Sequence, residues 1–119
     1  MTEADRINEP IEDRLDKYVG LVQTLNNLYW ERNEFTFSEP PTVVIDGGRK
    51  YARVVKVDNL NGSRSVHSFV NMENGDILKG SWKAPIRTKK KGLAVRGNIY
   101  AADLGADRVN EHGPNYLRR

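Results

Sequence analysis

"TVVIDGGRKYARVVKVDNLNGSRSVHSFVNMENGDILKGSWKAP", residues 42–85, decides the fold. Val, Ile, Tyr and Phe recur in short runs, and the runs are cut at Gly47-Gly48, Asn61-Gly62 and Asn74-Gly75. β-Branched and aromatic side chains suit the pleated surface of a strand, while glycine and Asn-Gly pairs supply the positive φ of hairpin turns. The pattern predicts four strands, near 42–46, 49–57, 64–72 and 76–83, in an antiparallel meander.

Register follows from keeping apolar residues together, because a slip of one residue exchanges the two faces of a strand. A three-residue loop at 73–75 sets Val70 against Leu78, Ser68 against Gly80 and Val66 against Trp82. A two-residue loop at Asn61-Gly62 sets Val57 against Val66 and Tyr51 against Met72. One face then carries Tyr51, Val55, Val57, Val66, Val70, Met72, Leu78 and Trp82, with Arg53 as the exception. The other carries Lys50, Ala52, Val54, Lys56, Ser65, His67, Phe69, Lys79, Ser81 and Lys83.

The apolar face needs a cover, and the N-terminal third supplies one. Ile11, Leu15, Tyr18, Val22, Leu25 and Tyr29 recur every three or four residues, with Val19, Leu21 and Leu28 widening the stripe, so a helix is expected over 9–31. Asn8 suits its N-cap, Pro10 its first turn, and Glu12 and Asp13 the positive end of its dipole. Residues 1–8 are read as a flexible lead-in, and Pro40-Pro41 marks the connector to the sheet. The expected fold class is therefore α+β. A single domain over 1–119 has its N-terminal helix packed on a four-stranded antiparallel β-meander at 42–83, followed by a basic loop at 86–98 and a short C-terminal element.

Charge is divided along the chain. Residues 1–41 carry 9 acids and 4 bases, and residues 42–119 carry 7 acids and 15 bases. A positive field on the C-terminal part favours an anionic partner. The second sheet face combines cations, an aromatic ring and hydroxyls, which suits a phosphate-bearing base such as single-stranded nucleic acid or a cyclic nucleotide. The expected ligand-binding residues are Lys50, Lys56, Lys79 and Lys83 for charge, Phe69 for stacking, His67, and Arg96 as a planar fork for phosphate. The plainer alternative is a solvated face whose lysines keep the sheet from pairing with others. Lys89, Lys90 and Lys91 fit a solvated loop or a phosphate grip, and "VRGN" at 95–98 fits a turn. Arg53 is expected to pair with Asp13 or Asp16, or else to belong to a site. Trp82 reads most simply as core, or as the mouth of a groove.

Catalysis has little to stand on. His67 and His112 are the two histidines, no carboxylate pair shares the basic face, and Ser65 with His67 is a pair of strand neighbours. There is no Cys, which removes disulfides and thiolate metal sites, and Gly47-Gly48 is a hairpin turn rather than a phosphate loop. No enzyme, metal site or cofactor is expected. No stretch has the length of a membrane span and the polar N-terminus is unlike a signal sequence, so a soluble protein without a membrane partner is expected. A second copy covering the sheet face, and so a homo-oligomer, stays open.

Gly48, Arg49, Lys50, Tyr51 and Arg53, then Ser65, Val66, Phe69 and Val70, then Gly75-Asp76, Trp82-Lys83, Pro85 and Arg96-Gly97-Asn98 together resemble a family of small, mostly uncharacterised tailed-bacteriophage proteins. Its pattern runs G-R-K-Y-x-R-(Ile/Val), S-V-x-x-F-V, G-D-(Ile/Val), W-x-x-P and R-G-N. "KGSW" at 79–82 is one residue shorter than the family spacing, and the lysine-rich insert before "RGN" is longer. The resemblance implies a phage accessory protein in the cytoplasm of an infected bacterial host. Proteins of that kind include counter-defence sponges for cyclic nucleotides, nucleic-acid binders, and virion or assembly proteins that contact a host protein without binding nucleotide.

Overall fold

A computed structural model describes residues 9–33, 39–85, 87–88, 92–93 and 95–114. Asn8, the rest of the lead-in, and Lys89 to Lys91 lie outside the described residues. The fold is α+β: one N-terminal helix covers one side of an antiparallel sheet.

Helix α1 runs Ile11–Arg32. Pro10 takes the N-cap position without a side-chain bond, and its carbonyl accepts from the Asp13 and Arg14 amides. The buried face is Leu15, Tyr18 and Val22, joined by Arg14 and Asn26, whose burial the apolar pattern does not reveal. Leu28, read as part of the stripe, is exposed. Asn26 settles its amide on the Val22 carbonyl at 2.8 Å. Arg14 reaches across to the C-terminal segment, its Nε donating to the Ile99 carbonyl at 2.8 Å and its Nη2 to that of Ala101 at 2.8 Å.

Strands β1 (Thr42–Ile45), β2 (Tyr51–Val57), β3 (Arg64–Asn71) and β4 (Asp76–Leu78) form the expected meander. The two-residue strands β5 (Arg87–Thr88) and β6 (Gly92–Leu93) pair with each other. β7 (Val95–Asn98) joins β4, so the sheet has five strands in the order β1-β2-β3-β4-β7. "VRGN" is thus a strand and not a turn, and the last meander strand stops at Leu78 instead of continuing to 83. The edge strand β1 is clasped by α1: Gln23 Oε1 accepts from the Val43 amide at 2.8 Å while its Nε2 donates to the Pro41 carbonyl at 2.9 Å.

Both expected registers are corrected. β3 pairs with β4 as Phe69↔Leu78 and Val70↔Ile77, one residue from the expected Val70↔Leu78. β2 pairs with β3 as Val57↔Arg64 and Val55↔Val66, then shifts across a bulge at His67 to Val54↔Ser68 and Arg53↔Phe69. The turns are longer than their Asn-Gly pairs suggest because neighbouring side chains fill them. Asp58 Oδ1 accepts from the Leu60 and Asn61 amides, Asn71 Oδ1 from Glu73, and Asn74 Oδ1 from Asp76. Asx turns of this kind compete with the tight hairpin.

The slip exchanges faces, as a period of two requires. Ala52, Val54, Val70 and Ile77 lie beneath Leu15, Tyr18 and Val22, with Ile99 and Val109 closing the core. Each of the larger aliphatic side chains among them contributes about 1.5–3 kcal/mol when removed from water. Val55, Phe69 and Leu78 are also buried but outside this cluster, on the outer side. Trp82, expected in the core, is 45% exposed.

Candidate functional site

One row of side chains crosses the outer face: Asp46, Arg53, Phe69 and Leu78, paired strand to strand. Asp46 enters the row because its amide donates to the Arg53 carbonyl at 2.8 Å, extending the β1–β2 ladder by one step. The loop beyond it turns through Gly47 at φ 68° and Gly48 at φ 100°. A Cβ on Gly48 would collide with the Tyr51 carbonyl, so glycine is required for the loop to lie this close. After β4, the loop 79–85 folds back over the row, closed by the Gly80↔Pro85 bridge and by Ser81 N donating to the Ala84 carbonyl at 3.0 Å. Gly80 rests against the Phe69 ring, where any Cβ would clash.

These two loops enclose a cleft of about 350 Å³ lined by Asp46, Lys50, Tyr51, Arg53, Phe69 and Lys83 among others. Arg53 is its centre. The guanidinium carbon stands 4.7 Å from the Trp82 ring centroid and 6.0 Å from that of Phe69, so the cation lies between two aromatic rings. Nη1 contacts Asp46 Oδ2 at 3.3 Å, and Nε is buried with no acceptor among the described residues. The expected pairing of Arg53 with Asp13 or Asp16 is therefore replaced by Asp46, a neighbour on the same sheet face. Lys50 Nζ lies 5.5 Å from the Tyr51 ring centroid.

Of the expected site residues, Lys50, Phe69 and Lys83 converge here. Phe69 is buried as the floor, however, and its ring is covered by Gly80 and Arg53, so it is not the exposed stacking surface expected of it. That surface is offered by Trp82. Core was the first of the two sequence readings of Trp82 and the mouth of a groove the second; the exposed ring stacked on Arg53 departs from the first.

His67 and Lys56 lie on the helix side of the sheet, His67 as the extra residue of the bulge and Lys56 because it shares the β2 face of Ala52 and Val54. Lys56 Nζ donates to the Glu111 carbonyl at 3.0 Å, and burial lowers its pKa while Glu111 partly opposes that. His67 Nε2 faces the Asn110 carbonyl at 2.8 Å, which can only accept, so the ring proton sits on Nε2. Nδ1 then accepts from the Ser68 hydroxyl at 2.8 Å, and Ser68 accepts from the Tyr18 phenol at 2.7 Å. Burial pushes the imidazole pKa down to about 4 and raises that of Tyr18. This chain of bonds ties α1 and β3 to the strap 109–114, where Gly113 passes so close to the His67 carbonyl that a Cβ would press on it. Ser68 is fully buried, out of reach of any substrate, and Ser65 is exposed without a bond to His67. Lys79 lines a second hollow of about 490 Å³ with His67, Asn110 and His112, apart from the Arg53 cleft. Arg96 is half-buried on β7 and lines neither; its Nε and Nη1 lack an acceptor among the described residues. Among the described residues no group of three or more His, Asp or Glu side chains could hold a metal, and no helix is long and apolar enough to cross a membrane.

A protein-family model described as "Family of unknown function (DUF7717)" matches residues 4–109. The chain belongs to that family. The DUF7717 match spans every residue of the Arg53 cleft and stops before Asn110, so most of the strap that covers His67 falls outside it. No curated protein and no solved structure matches the chain.

Proposed function

We propose that this chain is a non-catalytic binding protein for a nucleotide-type anion, held in the cleft around Arg53. The observation that carries the reading is the Arg53 guanidinium stacked under a half-exposed Trp82. Lys50 and Lys83 line the same cleft. Cations attract the phosphate, the open face of Trp82 takes the base, and the arginine behind the ring strengthens the platform by cation–π attraction. A volume of about 350 Å³ is at the small end for ligand pockets and suits one nucleotide rather than a strand. The phage-protein resemblance supplies the proposed setting, an infected bacterial cytoplasm.

Calorimetric titration of the full chain with a panel of mononucleotides, cyclic nucleotides and short oligonucleotides tests this. The expected result is saturable binding that Trp82→Ala and the double substitution Lys50→Ala, Lys83→Ala each weaken. Wild-type protein that binds none of them at low salt would overturn the nucleotide reading and favour a virion or assembly role.

A further inference from the structure

Asp46 is the one acid among the described residues that line the Arg53 cleft. Its side chain is 38% exposed, and both of its arginine contacts fall on a single oxygen: Oδ2 lies 3.3 Å from Arg53 Nη1 and 3.6 Å from Arg64 Nη2. Oδ1 has no partner among the described residues. The carboxylate is nevertheless fixed in place. Its backbone amide is laddered to the Arg53 carbonyl, and cations from β2 and β3 hold Oδ2. The cleft therefore presents one positioned, open acceptor among its cations. Such an oxygen repels phosphate, so the part of a nucleotide that suits it is a hydrogen-bond donor. A nucleotide has two kinds of donor, the sugar hydroxyls and the N–H groups of the base.

The layering of the cleft separates them. Asp46 contacts Arg53, which lies beneath the Trp82 ring at 4.7 Å, so a base stacked on the open face of that ring is two layers away from Asp46. Lys50 and Lys83, the partners for phosphate, line the cleft together with Asp46. The sugar is what connects a base on the ring to a phosphate in the cleft. Deepening the nucleotide reading, on which it rests, we propose that Asp46 Oδ1 accepts a hydrogen bond from the ribose 2′-hydroxyl and that the cleft selects ribonucleotides over 2′-deoxyribonucleotides. Carboxylates take this hydroxyl in dinucleotide-binding folds for the same chemical reason, an ionised acceptor facing a neutral donor. The 2′-hydroxyl also stays free in 3′,5′-cyclic nucleotides and within chains, where the 3′-hydroxyl is esterified. Repulsion between Asp46 and the phosphate falls equally on a ribonucleotide and its deoxy counterpart, so it cancels from the ratio of their affinities.

The probes are adenosine 5′-monophosphate and 2′-deoxyadenosine 5′-monophosphate, titrated calorimetrically into wild-type protein, Asp46→Ala and Asp46→Asn, with folding checked by circular dichroism. Wild type should prefer the ribonucleotide about tenfold, the scale of one hydrogen bond to a partly exposed charged group. Asp46→Ala should bring the two affinities within about twofold of each other. Asp46→Asn keeps an acceptor oxygen without its charge, so its ratio should lie between the two. The ratio, and not either affinity, is the readout, because removing a negative charge or loosening Arg53 moves both ligands together. Equal wild-type affinity for the two nucleotides overturns the assignment without any variant. A preference that persists unchanged in the folded variants overturns it too, since the hydroxyl is then read elsewhere. Nucleotide binding stands in both cases. If neither ligand binds wild type, the nucleotide reading fails and this inference fails with it.

Discussion

The two sides of the sheet treat their buried polar groups in opposite ways. On the helix side the principal ones meet protein partners: Arg14 on two carbonyls, Asn26 on its own helix, and Tyr18, Ser68 and His67 in a chain that ends on Asn110. Away from those networks, Arg53 and Arg96 keep buried nitrogens without acceptors among the described residues. An unsatisfied buried donor costs about 1–3 kcal/mol, so a cation left in that condition is primed for an outside anion, whereas a satisfied one is occupied in holding the fold. Being basic or titratable does not make a residue part of a site; a donor left open beside a cleft, as at Arg53 and not at Arg96, is the better mark.

The sharpest way to break that contrast is Arg14→Leu. It strands the Ile99 and Ala101 carbonyls, and urea denaturation should show a loss of about 3 kcal/mol, while a variant that still folds keeps its nucleotide affinity. Acid should act on the same side. The unfolded chain takes up a proton on His67 near pH 6.5, but the folded chain resists until about pH 4. Stability is therefore highest above that window and falls as pH drops through it, by roughly 3 kcal/mol in all. Denaturation midpoints collected between these limits should slope in wild type and flatten in His67→Gln; parallel slopes would clear His67 of the effect. Trp82→Ala should reverse the pattern, costing about 1–3 kcal/mol of nucleotide binding and leaving the denaturation midpoint near wild type. The smallest effect belongs to Gly20→Ala. Gly20 is exposed in mid-helix, and an added methyl group would meet nothing within 4 Å, so thermal melting should show a gain of about 0.5–1 kcal/mol and no change in binding.

The helix was legible because its apolar spacing extends along its whole length and nothing competes with it: 9–31 expected against Ile11–Arg32 found. The strands and turns were legible from glycine and β-branched residues. Their register was not, because Asp58, Asn71 and Asn74 lengthen the turns through side-chain bonds, and the bulge at His67 breaks the alternation in mid-strand. From those few residues followed the misplacing of His67 and Lys56, which secure the strap, and of Arg53, which centres the cleft. Lys50 and Lys83 escaped the error because both lie in loops at the cleft mouth, outside the paired strands.

Gln23 has a consequence beyond anchoring the helix. A primary amide presents the same donor and acceptor as a peptide group, and on β1 it stands where the backbone of another strand would hydrogen-bond. The edge of a sheet is otherwise a template on which identical chains can stack. Here a single side chain imitates the missing neighbour, and its exchange for leucine would turn a capped margin into an invitation to aggregate.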